Sequence, residues 1–271
     1  MIPLKFGLFW SGSKLSYLRY MTFATLRHFH PTAPIQLYVS KTCSNEIPKW
    51  NCERQDFQSY NGKCYMENLK ELNVEIIEQD WFSDFLPNFQ SDLFRWWWMQ
   101  NGGWYLDTDQ IVLKPLSEEL LNKDFVYSMY MAKSCGVYAP VGVLGSSINN
   151  NVVKHVLKYI MDYYNKDDYN SIGPFMLRDI MKNYSKMVDY NNSGENVFNA
   201  PSYYFYPIAE SFLVDVLYKS NVNISDSSYC LHWYGGSPVS QQFNNSFTEE
   251  FMMSSNDTIS SILKNIFLEK K

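Results

Sequence analysis

Two aspartates near the middle of the chain have the spacing needed to bind a divalent cation together. Asp107 and Asp109 follow Trp104, Tyr105 and Leu106, an aromatic and apolar run typical of a buried strand. Side chains at positions i and i+2 project the same way, so at a strand end both carboxylates can reach one ion. Carboxylate oxygens suit Mg²⁺ or Mn²⁺, which takes its remaining ligands from water and substrate phosphates. The pair therefore predicts a metal–diphosphate site.

A charged pair precedes this strand on a predicted helix. Ser91 is a good N-cap, residues 92–101 contain neither Gly nor Pro, and Gly102 and Gly103 supply the conformational freedom that ends a helix. Asp92 and Arg95 are three residues apart and share a helix face. A carboxylate and a guanidinium can therefore approach one ligand from the same side.

The succession S-D-x-x-R, a short helix and G-G-x-Y-x-D-x-D resembles the signature of glycosyltransferase family 32, which includes initiating mannosyltransferases and capsular polysaccharide transferases. The sugar-transferring domain of the large clostridial toxins has a similar signature. The resemblance implies a GT-A-type fold and metal-dependent transfer of a sugar, with retention, from a nucleotide-diphosphate donor such as a UDP- or GDP-sugar. The acceptor would be a glycan or glycoprotein.

The same resemblance implies roles for individual residues. Asp109 would bind the metal directly, and Asp107 would contact the ribose and the metal shell. Asp92 and Arg95 would hold the donor sugar. The glycines of the motif, Gly102 and Gly103, are predicted to belong to the donor-binding site.

A second stretch, residues 230–237, could reach the metal from a distant part of the chain. His232 follows a short strand and precedes a Gly-rich turn, and its imidazole fits Mn²⁺ at least as well as Mg²⁺. Related metal-dependent transferases end in a similar H-x-x-G-S stretch. This likeness implies that His232 is a metal ligand and that Gly235, Gly236 and Ser237 contact donor phosphates. The alternative for His232 is a hydrogen-bonded histidine at a strand end.

The N-terminal residues predict a βαβ unit: a strand over 4–10, a helix near 14–29 and a second strand over 35–39. Such a unit indicates a parallel sheet with ligands at the carboxyl ends of its strands. Trp10 lies at the end of the first strand. The family's W-x-G pattern implies that it stacks on the nucleotide base, and the alternative is an ordinary core aromatic.

We therefore predict an α/β fold with a Rossmann-like, mixed and mainly parallel sheet, flanked by helices in a single domain. Residues 1–246 would form the transferase domain, with a nucleotide-binding half over 1–116 and an acceptor-side half over 117–246. Residues 247–271 are predicted to be a C-terminal amphipathic helix that packs on the body, with a weak membrane-surface contact as the alternative.

Composition narrows the class of protein. Hydrophobic residues make up 46% of the chain and aromatic residues 17%, which argues against disorder, and the net charge of −5 argues against nucleic acid as a partner. Five cysteines without a C-x-x-C pair suggest reduced thiols. No apolar run approaches the length of a transmembrane helix. We expect a soluble cytoplasmic protein, in a host cytoplasm if the source is viral.

Two other classes of protein stay open. One is a haloacid-dehalogenase-type phosphatase with Asp107 as the nucleophile. Against it, position 111 is Ile rather than Thr or Val, the motif follows residue 100, and the S-D-x-x-R segment is unexplained. The other is a non-catalytic sugar- or nucleotide-binding protein on a degenerate transferase fold, which the intact Asp107, Asp109 and Arg95 disfavour.

Overall fold

A computed structural model describes residues 1–44, 60–132, 136–187 and 194–268 of the chain. Within these ranges the strands are β1 (Phe6–Ser11), β2 (Ile35–Ser40), β3 (Val74–Glu78), β4 (Asn101–Leu106), β5 (Gln110–Val112), β6 (Phe125–Ser128), β7 (Tyr130–Ala132), β8 (Gly136–Tyr138), β9 (Val143–Ile148), β10 (Val197–Ala200) and β11 (Cys230–His232). The α-helices are α1 (Tyr17–Phe29), α2 (Pro87–Met99), α3 (Glu118–Leu121), α4 (Asn151–Tyr163), α5 (Met176–Met187), α6 (Pro238–Ser246), α7 (Glu249–Ser254) and α8 (Thr258–Phe267).

Among the described residues, the main sheet has seven strands in the order β10-β6-β9-β4-β1-β2-β3. Its neighbouring strands are parallel except at β9, which runs antiparallel to both β4 and β6. β1 and β2 flank α1 as the predicted βαβ unit. The prediction of an α/β fold with a mixed, mainly parallel sheet in a single domain is confirmed.

The two faces of the sheet carry separate apolar layers because side chains alternate along each strand. In β1, Phe6, Leu8 and Trp10 face one layer, which also contains Phe23 of α1. Phe9 faces the other layer, where α2, α4 and α5 pack. A third cluster joins α1 and the β5–β11 pair to the C-terminal helices. Helices therefore pack on both faces of the sheet and fix the positions of its strand ends.

Helix α2 begins five residues before the predicted start. Pro87 occupies its first turn after Leu86, where the fixed backbone angle of proline suits helix entry, so the predicted N-cap at Ser91 is wrong. The helix ends at Met99, and Gly102 and Gly103 open β4. Their φ angles of 69° and 120° require glycine, and a Cβ at Gly103 would lie 2.6 Å from the Trp98 ring.

The C-terminal segment is also divided differently from the prediction. Residues 249–267 form two helices, α7 and α8, instead of one. The break falls before α8 because Asp257 caps that helix, its Oδ1 accepting the backbone N–H of Ser260 at 2.9 Å. The predicted end of the helix at Lys271 lies outside the described residues.

Among the described cysteines, Cys64 and Cys230 carry free thiols. No helix in the described part of the chain combines the length and the apolar character needed to span a bilayer.

Candidate active site

A cavity of about 1270 Å³ opens at the carboxyl edge of the main sheet, where β1 and β4 end. The predicted site residues that line it are Trp10, Asp92, Arg95, Asp107, Asp109, His232, Gly236 and Ser237. Gly235 lies behind them and donates its backbone N–H to Asp109. Residues from four separate parts of the chain thus meet at one cavity.

Gly102 and Gly103 are not at this cavity, and their predicted donor-binding role is corrected. They stand at the amino end of β4, whereas the site lies beyond its carboxyl end. At the usual rise of a strand the two positions are roughly 13 Å apart. Gly103 instead allows the ring of Trp98 and the backbone of Lys5 to approach β4 closely.

The first part of the site, here called the arginine cluster, consists of Ser91, Asp92, Arg95, Tyr105 and Asp107. Arg95 Nη2 lies 3.1 Å from Asp92 Oδ1 and 3.2 Å from Asp107 Oδ1, and it donates to Ser91 Oγ at 3.1 Å. The Tyr105 hydroxyl donates to Asp107 Oδ1 at 2.6 Å. Helix α2, strand β4 and the residue that follows this strand supply the cluster, so one short stretch of chain assembles it.

Burial controls the charges of this cluster. Asp92 and Arg95 are 5% and 4% exposed. Burial raises the pKa of Asp92 to about 7, Arg95 opposes the rise, and Asp107 adds to it. Burial alone would lower the pKa of Arg95, but Tyr105, Asp107 and Asp92 raise it overall, so the guanidinium stays charged.

Residues 172–174, Ile-Gly-Pro, hold Asp92 from the opposite side. A Cβ at Gly173 would lie 2.9 Å from both carboxylate oxygens of Asp92, so only glycine allows this approach. The Trp96 indole donates to the carbonyl of Ile172 at 3.3 Å and ties the segment to α2. Residues 172–174 therefore pack directly against the site.

The second part, here called the histidine cluster, consists of Asp109, His232 and Gly235. β11 pairs with β5 so that His232 lies opposite Gln110, and this pairing joins parts of the chain more than 120 residues apart. His232 Nε2 lies 3.0 Å from Asp109 Oδ2, which also accepts the Gly235 N–H at 2.7 Å. Tyr234 has a left-handed φ of 51°, which turns the chain between His232 and Gly235.

Asp109 and His232 of this cluster, together with Asp107 of the arginine cluster, offer ligand atoms that fit a divalent cation. One ligand atom each from Asp107, Asp109 and His232 lie within 4.8 Å of one another. Asp109 Oδ1 and His232 Nδ1 are buried and have no hydrogen-bond partner among the described residues, a cost of about 1–3 kcal/mol each when unrelieved. Two carboxylates and an imidazole form a donor set that suits Mn²⁺ or Mg²⁺.

In the histidine cluster, Asp109 and His232 each shift the pKa of the other toward its charged form. Burial opposes ionisation of Asp109, but His232 and then Arg19 lower the pKa of its carboxyl. Burial likewise opposes protonation of His232, and Asp109 nevertheless raises its pKa. The carboxylate therefore stays ionised, as metal binding requires.

Arg19 of α1 is a site residue that the sequence argument missed. Its guanidinium lies over the Trp10 ring at 4.4 Å and the Trp233 ring at 5.1 Å, and it donates to Thr108 Oγ1 at 2.8 Å. It therefore links the end of β1 to the turn between the two aspartates. The sequence did contain one signal for this residue, because Arg19 falls among the apolar residues of the helix face that packs on the core.

Tyr206 is a second missed residue. Its hydroxyl accepts the backbone N–H of Val143 at 2.9 Å, and its ring packs edge-to-face on His232 at 5.5 Å. Asp107 is also held from this side, because its backbone N–H donates to the carbonyl of Gly142 at 2.8 Å. Strand β9, the antiparallel member of the sheet, begins at this point.

Residues 146–255 match the family model described as the alpha 1,4-glycosyltransferase conserved region. The matched segment includes His232 and Gly235 but none of residues 91–109, on which the sequence resemblance depended. This match confirms the predicted resemblance to glycosyltransferases from a separate part of the chain. No curated protein matches the chain in sequence.

Several solved structures are similar to the chain at low identity. PaToxG glycosyltransferase is 17% identical over 69% of this chain and 70% of its own, with a TM-score of 0.46. The glycosyltransferase GlyE of Streptococcus pneumoniae TIGR4 is 14% identical over 98% of this chain, which spans only 61% of GlyE, with a TM-score of 0.43. A glycosyltransferase involved in glycosylation of the major capsid of PBCV-1 is 11% identical over 90% of this chain and 100% of its own, with a TM-score of 0.43.

Proposed function

We propose that the chain is a metal-dependent glycosyltransferase that moves a sugar from a nucleotide-diphosphate donor to a glycan or glycoprotein acceptor with retention. The observation that carries this proposal is the convergence of Asp107, Asp109 and His232 beside the buried Asp92–Arg95 pair in one large cavity. This arrangement offers ligands for a cation next to groups that can bind an anion and sugar hydroxyls.

Asp107, Asp109 and His232 would hold Mn²⁺ or Mg²⁺. When bound, the ion supplies Lewis-acid stabilisation of the negative charge on the leaving diphosphate. Arg95 adds a fixed positive charge beside Asp107. Asp92 is positioned by Arg95 and Gly173 to accept hydrogen bonds from sugar hydroxyls.

The donor phosphates would lie against the turn that precedes α6. Ser237 stands before Pro238 and makes no capping hydrogen bond, so its hydroxyl can donate to a phosphate oxygen. The N-terminus of α6 favours an anion at this position. Trp10 lines the cavity on the other side, and we assign it to the nucleotide base.

In the transfer, the bond between the anomeric carbon and the diphosphate oxygen breaks, and its electron pair leaves with the diphosphate. The acceptor oxygen forms the new bond to that carbon and releases its proton to the leaving diphosphate. With retention the chain needs no separate general base, and orientation by Asp92, Arg95 and Trp10 contributes much of the rate increase.

The proposed setting is the cytoplasm. The free thiols of Cys64 and Cys230 support it, since reduced cysteines are the rule there.

The test is a thermal-shift screen of nucleotide-sugars with Mn²⁺, followed by measurement of donor hydrolysis. A ligand that binds only the native protein raises the melting temperature, so the donor is expected to stand out from the panel. Asp109→Ala should abolish the Mn²⁺-dependent shift and the hydrolysis. Asp84→Ala, at an exposed position away from the cavity, is the matched control and should change neither.

Two outcomes would reject the proposal. Release of phosphate from p-nitrophenyl phosphate without donor hydrolysis would indicate a phosphatase. Binding of a nucleotide-sugar with neither hydrolysis nor transfer to any glycan would indicate a non-catalytic binding protein.

A further inference from the structure

One side of the cavity is aromatic and adjoins the histidine cluster through Tyr234, whose ring centroid lies 4.0 Å from that of His232. This acceptor wall consists of Tyr130, Met131, Tyr138, Glu210, Phe212 and Tyr234, all of which line the cavity. It is built from the β7–β8 hairpin, the short 3₁₀ helix Glu210–Phe212 and the turn after β11. Apart from Tyr234, which turns the chain between His232 and Gly235, none of these residues has a role in the donor site described above.

The cavity has room for a second ligand. Its volume of about 1270 Å³ exceeds the roughly 300–1,000 Å³ typical of a pocket that holds one small molecule. A donor bound at the metal ligands and Trp10 would leave the acceptor wall uncovered. Met131 and Phe212, which are 76% and 52% exposed, stand at this wall.

The rings of the wall are held in place before any ligand binds. Tyr130 and Tyr138 pack edge-to-face with centroids 6.1 Å apart, and Tyr138 packs in the same way on Phe175 at 6.4 Å. The Tyr138 hydroxyl donates to Asn170 Oδ1 at 3.2 Å. A fixed aromatic surface with polar tips matches a sugar ring, which has an apolar C–H face and hydroxyls at its edge.

The charge of the wall is negative. Glu210 is its one ionisable carboxylate, and it takes part in none of the ion pairs among the described residues. The Tyr234 hydroxyl donates to the carbonyl of Ile208 at 3.1 Å, which ties the rings to the segment that carries Glu210, and Tyr234 and Glu210 line the same cavity. The arginines among the described lining residues, Arg19 and Arg95, belong to the donor side, and no described lining residue is a lysine.

We propose that the acceptor is an uncharged sugar stacked on the acceptor wall, and that Glu210 is a specificity-determining residue that rejects acceptors carrying a carboxylate or phosphate. This inference depends on the proposed function, because it names the acceptor of the same transfer. The acceptor hydroxyl oxygen bonds to the anomeric carbon of the donor, the diphosphate leaves with the bonding electrons, and the hydroxyl proton passes to the diphosphate. Repulsion by Glu210 would act on the binding of the acceptor rather than on this bond exchange.

The experiment uses matched acceptors that differ only in charge. Methyl glucoside is compared with methyl glucuronide, and methyl galactoside with methyl galacturonide, using the full chain, Mn²⁺ and the nucleotide-sugar that the enzyme hydrolyses. In the wild type, the neutral member of at least one pair should be glycosylated at least about tenfold faster than its anionic partner. Glu210→Gln should narrow this ratio and Glu210→Lys should invert it, since the repulsive charge is first removed and then reversed.

Glu119→Lys makes the same charge change at an exposed position outside the cavity and should leave the ratio unaltered. For the apolar surface, Phe212→Ala should raise the KM for the neutral acceptor, while Phe267→Ala, on α8 and 39% exposed, should not.

Equal use of both members of every pair, a preference for the anionic members, or a ratio unaffected by Glu210→Lys would overturn the inference. So would a failure of every neutral sugar to accelerate donor consumption. These results differ from failure of the proposed function, in which no donor is hydrolysed with Mn²⁺ at all.

Discussion

The arginine cluster and the histidine cluster both place a carboxylate against a nitrogen donor, yet they leave opposite kinds of atom unpaired among the described residues. In the arginine cluster the buried atom without a partner is Arg95 Nη1, a hydrogen-bond donor. In the histidine cluster the corresponding atoms are Asp109 Oδ1 and His232 Nδ1. Both carry lone pairs when the imidazole is neutral and its Nε2–H donates to Asp109.

This difference teaches what ligand the site is built for. A buried donor suits an anion or a sugar oxygen, and buried lone pairs suit a cation. A diphosphate sugar bound with its metal satisfies both clusters at once. Asp107 connects them, because it accepts from Arg95 and Tyr105 and also faces Asp109 and His232.

The largest expected effect comes from breaking the arginine cluster. Arg95→Met leaves the buried Asp92 without its cation, and this should lower the free energy of unfolding by about 3–5 kcal/mol, measured by urea denaturation. Arg178→Met is the matched control, since Arg178 pairs with the partly exposed Asp179 and its loss should cost less than about 1 kcal/mol. Equal losses in the two variants would contradict the distinction.

Breaking the histidine cluster should affect metal use first. His232→Gln removes one ligand and should lower donor hydrolysis on the order of 10²-fold, about 2.7 kcal/mol, at limiting Mn²⁺. Excess Mn²⁺ should restore part of this activity, because the defect is one of metal affinity. Arg95→Lys should lose activity that Mn²⁺ does not restore. The comparison fails if Mn²⁺ titration rescues both variants or neither.

A buried histidine outside the site sharpens the comparison. His232 has a carboxylate partner that raises its pKa, whereas burial alone lowers the pKa of His30 to about 4. Between pH 6.5 and 4 the unfolded chain therefore binds a proton at His30 that the folded chain does not. As the pH falls through this window, His30 should lower the free energy of unfolding by up to about 3 kcal/mol. Above pH 6.5 the histidine is neutral in both states and should have no effect on stability.

This prediction is checked by urea unfolding at pH 7 and pH 4.5. His30→Gln should flatten the decline in stability relative to the wild type. His155→Gln, at a half-buried position, should flatten it much less. A decline of the same size in wild type and His30→Gln would assign the acid sensitivity to other groups.

The smallest effect is expected at Tyr105, a hydrogen-bond partner of the Asp107 carboxylate that joins the two clusters. Tyr105→Phe removes the 2.6 Å hydrogen bond to Asp107 but keeps the ring, and it should slow donor hydrolysis about tenfold. Tyr203→Phe, at a position that is 47% exposed, should leave the rate within error. A larger loss at Tyr105 than at His232 would reverse the order proposed here.

The arginine cluster and the aspartate pair could be predicted from the sequence because local geometry determines them. Asp92 and Arg95 share a helix face at i and i+3, and Asp107 and Asp109 follow the end of a short strand. His232 could be proposed from its Gly-rich turn, although only the pairing of β11 with β5 brings it to Asp109.

Arg19 and Tyr206 were missed because tertiary packing places them at the site. Nothing in the spacing of α1 shows that the Arg19 guanidinium will lie between two tryptophans. The glycines Gly102 and Gly103 were misassigned for a related reason. Their conformational freedom was visible, but its use, close packing under Trp98, depends on a neighbour in space.

The reversed direction of β9 makes Gly142 a point of steric control over the metal ligands. A methyl group at this position would lie 2.7 Å from Asp107 Oδ2 and so displace that carboxylate without altering any charge. The absence of a side chain at Gly142 therefore allows the Asp107 carboxylate to occupy its position beside Asp109 and His232. Gly142→Ala would therefore disturb the geometry of the three metal ligands while leaving all their charges in place.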